Sequence, residues 1–228
     1  MNNSNVSYIF PSDINIELFS LPKTATQDSI SFKPREYIIE QIIPQKNKIL
    51  KDIFKSEPDM PFGYINKGEK ETKTIEEASN LLDFKKKYIL KTLVTRDLDE
   101  NIYMVITLGN YRPNINNIRH ISKKFRDAHD LTSPPKLYKL DSDFEDHIGM
   151  SAGFCGPVLY NEDYMKNIKG ILFHTNIKKK QQRYTRNAED IMITFPISKN
   201  ASILMHPGDL YEKLKDKCGE DKIAFFKE

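Results

Sequence analysis

The spacing of apolar positions changes often enough along the chain to mark separate elements. In residues 44–55 (PQKNKILKDIFK), Ile49, Leu50, Ile53 and Phe54 fall on one face and the proline stands where a helix can begin, which predicts an amphipathic helix. After a Pro-containing turn, residues 62–66 (FGYIN) read as a short strand. Thr74 followed by Glu77 is a capping-box pair opening a helix over residues 75–82, and the polar stretch 68–73 before it is a loop. Residues 88–95 (YILKTLVT) and 102–108 (IYMVITL), with a polar turn between them, predict a hairpin. Asn114 is placed to cap a helix that turns Ile115, Ile118 and Phe125 inward and Arg119, Lys123 and Lys124 to water.

A third strand, residues 136–140 (KLYKL), follows two prolines, and Asp141 then caps a short helix that carries Phe144 and Ile148 and stops at Gly149. Further strands are predicted at 168–173 and 190–195, a short helix near 209–214, and cover for the apolar pair Phe225 and Phe226. Residues 1–35 are rich in Asn, Ser, Thr and Asp and show no sustained period, so a loosely ordered N-terminal extension is expected, followed by one domain over 36–228. Strands and helices mix without regular βαβ alternation. The predicted class is α+β, a mixed β-sheet with surrounding helices.

Composition narrows the classes without choosing one. In 228 residues, 39% hydrophobic and 29% charged positions exclude collagen-like and largely disordered chains. No apolar run approaches the roughly 20 residues of a membrane span, and the polar start lacks a signal-peptide pattern, so the chain reads as soluble and cytoplasmic. A net charge of only +3 means that nucleic-acid affinity would have to come from a local patch. Cys155 and Cys218 form no CxxC pair, and the five histidines show no metal spacing, so neither a metal nor a cofactor is expected. The phosphate-binding GxxxxGK[ST] and GxGxxG patterns and the GxSxG nucleophile elbow are missing, which removes kinase, dehydrogenase and α/β-hydrolase readings.

Three features stand out chemically. Lys91 lies in a strand of Ile, Leu, Thr and Val, where an ammonium group must reach solvent, an acid or a ligand. It is either ligand-facing or a snorkelling, salt-bridged lysine. The loop of residues 151–157 (SAGFCGP) is either an ordinary tight turn or a place where small residues bring backbone N–H groups close to a carbonyl or oxyanion. Cys155 within it has no identifiable histidine base. The basic run of residues 178–186 (KKKQQRYTR) is either a solvated turn or a track for an RNA backbone.

Taken in order, the strand with Lys91-Thr92-Leu93-Val94, an apolar strand, a helix capped at Asn114, and a helix running into GMSAGFCGPV resemble the YbaK and prolyl-tRNA synthetase-associated editing domain. Lys91 to Val94 match that family's K-T-L-[LV]-V strand, Gly153 to Pro157 its G-x-x-x-P loop, and Gly156-Pro157-Val158 the G-P-V of bacterial synthetase insertions. The resemblance covers roughly residues 62–176, ending at ILFHTN, where His174 and Thr175 depart from the family's small residues. An appended N-terminal domain of this kind occurs in prolyl-tRNA synthetases of malaria parasites and related protozoa, and this Asn- and Lys-rich chain is similar to such a piece.

The resemblance implies a YbaK-like fold and hydrolysis of the ester joining alanine or cysteine to proline tRNA, a second sieve for what a proline site admits. On that basis Lys91 anchors the phosphate or ribose of the terminal adenosine. Asn114, Gly153, Phe154, Cys155, Gly156, Pro157, His174 and Asn176 are the implied substrate contacts, with Phe154 and Cys155 setting pocket size. Lys178, Lys179, Lys180, Arg183 and Arg186 are expected to hold the acceptor end of proline tRNA, and the rest of a synthetase chain is a further expected partner. The alternative is a catalytically silent tRNA-binding appendage. A third reading, an interaction module without RNA, fits the modest net charge.

Overall fold

Alternating β-branched and apolar residues produce the central hairpin, β4 (Leu90–Arg96) and β5 (Ile102–Leu108), paired antiparallel from Leu90 opposite Leu108 to Arg96 opposite Ile102. Its turn is fixed by Asp97, whose carboxylate accepts from the Asp99 and Asn101 amides and from the Tyr103 hydroxyl. The computed structural model describes residues 15–19, 30–32, 35–60, 62–82, 84–140, 144–177 and 193–228.

Two sheets organise these residues. The first has the order β2 (Ile30–Phe32), β1 (Asn15–Phe19), β3 (Phe62–Asn66), β10 (Ala201–Met205), β9 (Ile193–Ser198). The second runs β6 (His120–Ile121), β11 (Ile223–Lys227), β8 (Ile168–His174), β5, β4, β7 (Tyr138–Lys139). Pairing is mixed in both: β5 is parallel to β8 and β8 to β11, whereas β4 is antiparallel to β5. A parallel bridge between Ile89 and Thr194 joins the sheets. The class is α+β with mixed sheets and surrounding helices.

Most of the core lies between the first sheet, the helices and one face of the second sheet. Helix α1 (Arg35–Tyr37) leads into a π-turn, Ile38–Ile42, and α2 (Lys48–Ser56) then buries Ile49, Leu50, Ile53 and Phe54, with Phe54 stacked on Phe62 at 3.8 Å. Each large apolar side chain removed from water in this way contributes about 1.5–3 kcal/mol. Helix α3 (Ile75–Leu82) opens with the predicted box: Thr74 Oγ1 accepts from the Glu77 amide at 3.1 Å, and Glu77 Oε2 accepts from the Thr74 amide at 3.1 Å. The opposite face of the second sheet carries a smaller core of Tyr103, Val105, Leu172 and Phe226 under Phe125.

Several expectations are corrected. Asn114 caps no helix: residues 115–117 form a 3-10 turn and Asn114 makes no capping bond. The helix there is α4 (Lys123–Ala128), capped by Ser122, whose side chain accepts from the Phe125 amide, because a short strand intervenes at His120–Ile121. Part of the 1–35 stretch forms β1 and β2, with β1 paired along β3. Residues 201–205 and 223–227 are additional strands, and Phe225 and Phe226 belong to the second, with Phe226 fully buried. Short helices α5 (Phe144–Ile148) and α6 (Glu162–Lys166) flank the glycine-containing loop, and α7 (Pro207–Cys218) is longer than predicted. Asp141, expected to cap α5, lies outside the described residues.

Candidate active site

Lys91 is half-buried on β4, on the same sheet face as Leu93, and opposite Thr107 of β5. It borders a cavity of about 560 Å3 that lies along the seam joining the two sheets. The walls come from the loop before α3 (Thr72 to Thr74), α3 itself, Lys86 and Ile89 ahead of β4, β4, the turn after β5 (Gly109, Asn110, Arg112), Gly153 and Cys155, and the first-sheet strands β9 (Thr194 to Pro196) and β10 (Ser202). The size suits a small ligand pocket.

Backbone crowding sets the loop at Gly153. That residue has φ +84°, and a Cβ there would meet the Lys73 carbonyl oxygen at 2.7 Å. At Gly156 a Cβ would sit 2.2 Å from the Pro196 carbonyl oxygen. The glycines therefore let the loop close against two other backbone segments, and this contact brings Gly153 and Cys155 to the cavity wall. Among the described residues, the Gly153 and Cys155 amides donate to no backbone carbonyl, whereas the Phe154 amide is taken by Ser151.

Positive charge dominates the walls. Lys73, Lys86, Lys91 and Arg112 line the cavity against one carboxylate, Glu76, and that carboxylate is ion-paired with Lys86. Burial, with the nearby Arg112 and Lys139 charges, holds the Lys91 ammonium below its ordinary pKa. An anion in the cavity would oppose both by favouring the charged ammonium. Cys155 is a poor nucleophile here: burial pushes its thiol far up, and Sγ donates to the Gly156 carbonyl at 3.4 Å.

The structure thus brings Lys91, Gly153 and Cys155 to one cavity. Phe154, Gly156 and Pro157 are buried beside it but are not among its lining residues. His174 lies at the end of β8, stacked on Tyr111 with ring centroids 4.3 Å apart, and its Nδ1 accepts from the Asn176 amide at 3.2 Å. Asn114 is exposed and its amide donates to Glu228 Oε1 at 2.8 Å. Asn114, His174 and Asn176 therefore stand away from the cavity wall. Lys178, Lys179, Lys180, Arg183 and Arg186 lie outside the described residues. Reading the sequence missed Lys73, Asn110, Arg112 and Thr194. An arginine flanked by Tyr111 and Pro113 in a polar turn gives no local signal beyond that of a solvated charge.

Two mixed sheets joined at a seam, with a lysine-bearing hairpin and a glycine loop lining one cavity, make up an α+β fold that solved structures share. The solved structures that share this fold include a hypothetical protein, APE2540, with TM-score 0.54 and 19% identity over 79% of this chain and 99% of that one. Another is a protein provisionally described as a trans-editing enzyme for prolyl tRNA synthetase, with TM-score 0.50 and 13% identity over 82% of this chain and 99% of that one. At these identities the likeness is one of fold. No protein-family model and no curated protein matches the sequence. Among the described residues, no helix is long and apolar enough to cross a membrane, and no group of three or more His, Cys, Asp or Glu is placed to hold a metal ion.

Proposed function

We propose that residues 36–228 form an editing domain that hydrolyses the ester between a small, wrong amino acid, alanine or cysteine, and the terminal adenosine of proline tRNA. The observation that carries this reading is that Lys91, Gly153 and Cys155, from a strand and a distant glycine loop, line one positively charged cavity. The proposed setting is a domain appended to a prolyl-tRNA synthetase of the malaria-parasite type, acting in the cytoplasm. In support of the activity, the fold is shared with the provisionally described trans-editing enzyme.

An aminoacyl ester is already activated, so positioning and electrostatic stabilisation can supply the catalysis without a side-chain nucleophile. Lys91 holds the phosphate or ribose end of the adenosine and sets the ester carbonyl against the loop amides. Water attacks the carbonyl carbon, the bond from that carbon to the ribose oxygen breaks, and the ribose oxygen takes up a proton. The products are the free amino acid and the tRNA with its hydroxyl restored. Cys155 bounds the cavity as a small, protonated wall residue, while Lys178, Lys179, Lys180, Arg183 and Arg186 are proposed to track the acceptor end.

One observation favours the alternative, a silent tRNA-binding appendage: among the described residues, no histidine and no unpaired carboxylate borders the cavity. Turnover separates the two. Release of labelled alanine, cysteine and proline from proline tRNA is measured with the parent and with Lys91→Ala. Acceleration for the small amino acids alone, reduced about 10²-fold by the substitution, is the expected result. No acceleration with tRNA still bound leaves the appendage reading, and full activity in Lys91→Ala removes the anchoring role.

A further inference from the structure

Arg112 occupies a turn that is held unusually firmly for an exposed segment. The Gly109 amide donates to the Ile89 carbonyl at 2.7 Å and the Tyr111 amide to the Leu108 carbonyl at 2.9 Å. The Tyr111 ring stacks on His174, its hydroxyl donates to Glu228 Oε2 at 3.1 Å, and the Asn114 amide donates to the other oxygen of the same carboxylate. Arg112 therefore sits between two residues tied to one acid, while its own side chain is exposed at the cavity edge.

Arg112 and Lys91 border the same cavity, and neither has a carboxylate partner among the described residues, whereas Lys86 in that wall is neutralised by Glu76. Two like charges bordering one cavity, one on a pinned turn and one on β4, repel each other, and an anion between them relieves that repulsion. The chemistry matches one anion class in particular. A guanidinium presents a planar fork that takes two phosphate oxygens, and an ammonium serves as a point charge for a third.

We propose that Arg112 and Lys91 together form a receptor for the phosphate of a nucleotide ester. Arg112 orients it through two parallel hydrogen bonds and Lys91 neutralises it from the strand. The editing reading gave Lys91 the phosphate or ribose end alone, and this inference rests on that assignment while adding a second cation. Arg112 is a positioning residue: it touches the phosphate and not the reacting ester.

Binding of adenosine, 5′-AMP and the trinucleotide CpCpA to the parent, Arg112→Ala and Arg112→Lys tests this by calorimetry, with a thermal melt of each variant. The parent should bind both phosphate-bearing probes at least 10-fold tighter than adenosine. Arg112→Ala should lose about 10- to 100-fold for those probes and nothing for adenosine, and Arg112→Lys should recover part of the loss. Tighter binding of CpCpA than of 5′-AMP assigns the receptor to an RNA end, and equal binding to a free mononucleotide. In the deacylation assay Arg112→Ala should raise KM more than it lowers kcat. A phosphate preference that Arg112→Ala leaves unchanged, or a parent that binds all three probes alike, overturns the receptor. Phosphate-dependent binding without deacylation removes the editing reading and leaves the receptor standing.

Discussion

Lys67 is the most deeply buried ammonium group near the cavity, only 3% exposed, and its Nζ donates to Thr72 Oγ1 at 2.8 Å. Thr72 is itself a cavity-lining residue, so this bond tethers the wall that Lys73 continues against Gly153. Burial lowers the Lys67 pKa to about 8. An unfolded lysine titrates near 10.4, so between these values the unfolded chain binds more protons than the folded one and stability rises with pH. The burial cost is present in full below pH 8 and fades as pH climbs through the window. From pH 7 to 9.5 this group alone should add about 2 kcal/mol of stability. Urea denaturation of the parent and Lys67→Met at the two pH values measures it as the difference between them. Equal pH dependence in both proteins would show that the ammonium is not held as described. Lys91 obeys the same sign rule, with a consequence for binding: its charge, and the phosphate affinity that depends on it, is lost as pH rises through its lowered pKa.

The element that places Lys91 is the β4–β5 hairpin, and its register depends on Asp97. The Tyr103 hydroxyl, on a fully buried residue, donates to Asp97 Oδ2 at 3.1 Å, and two backbone amides of the turn donate to Oδ1. Burial and the adjacent Asp97 carboxylate both push the Tyr103 pKa up, so the ring stays neutral and remains the donor. Asp97→Ala leaves that hydroxyl unpartnered and should cost about 3 kcal/mol by urea denaturation, with Asp97→Asn recovering part of it. A loss below about 0.5 kcal/mol would mean that the turn holds itself without the carboxylate. Elements of this kind were legible because their determinants are local. The capping box at Thr74 and Glu77 sits within one helical turn, the β4–β5 alternation within one hairpin, and the apolar stripe of α2 within nine residues. Asn114 was misread for the converse reason. Its sequence neighbours resemble a helix start, but pairing of His120–Ile121 with the distant β11 delays the helix until Ser122.

At the scale of the whole molecule the determinants are non-local, and there the sequence was hardest to read. Strand β3 finds β10 about 140 residues later, Thr194 meets Ile89 across the seam, and the cavity exists only once these segments and the glycine loop have converged. Lys91 and Gly153 could be singled out because a lysine in an apolar strand and a glycine-rich loop are locally anomalous, while Arg112 and Thr194 gain their position only from the fold. The same logic makes β11 decisive although it lies at residues 223–227. It fills the second sheet between β6 and β8, buries Ile223, Ala224 and Phe226, and is followed by Glu228, which pins the turn carrying Arg112. Phe226→Ala, which empties the smaller core beneath Phe125, should cost about 3–5 kcal/mol. Ending the chain at Gly219 should do more: it strips the parallel partner from β8 and bares the edge of the sheet that holds β4 and β5. The expected result is loss of the cooperative thermal transition and of the near-ultraviolet circular dichroism of the packed tyrosines, with phosphate-probe binding lost at the same time. Retention of a cooperative melt by the shortened chain would show that the β5–β8 pairing and the first sheet are sufficient, and that β11 only covers a domain already complete.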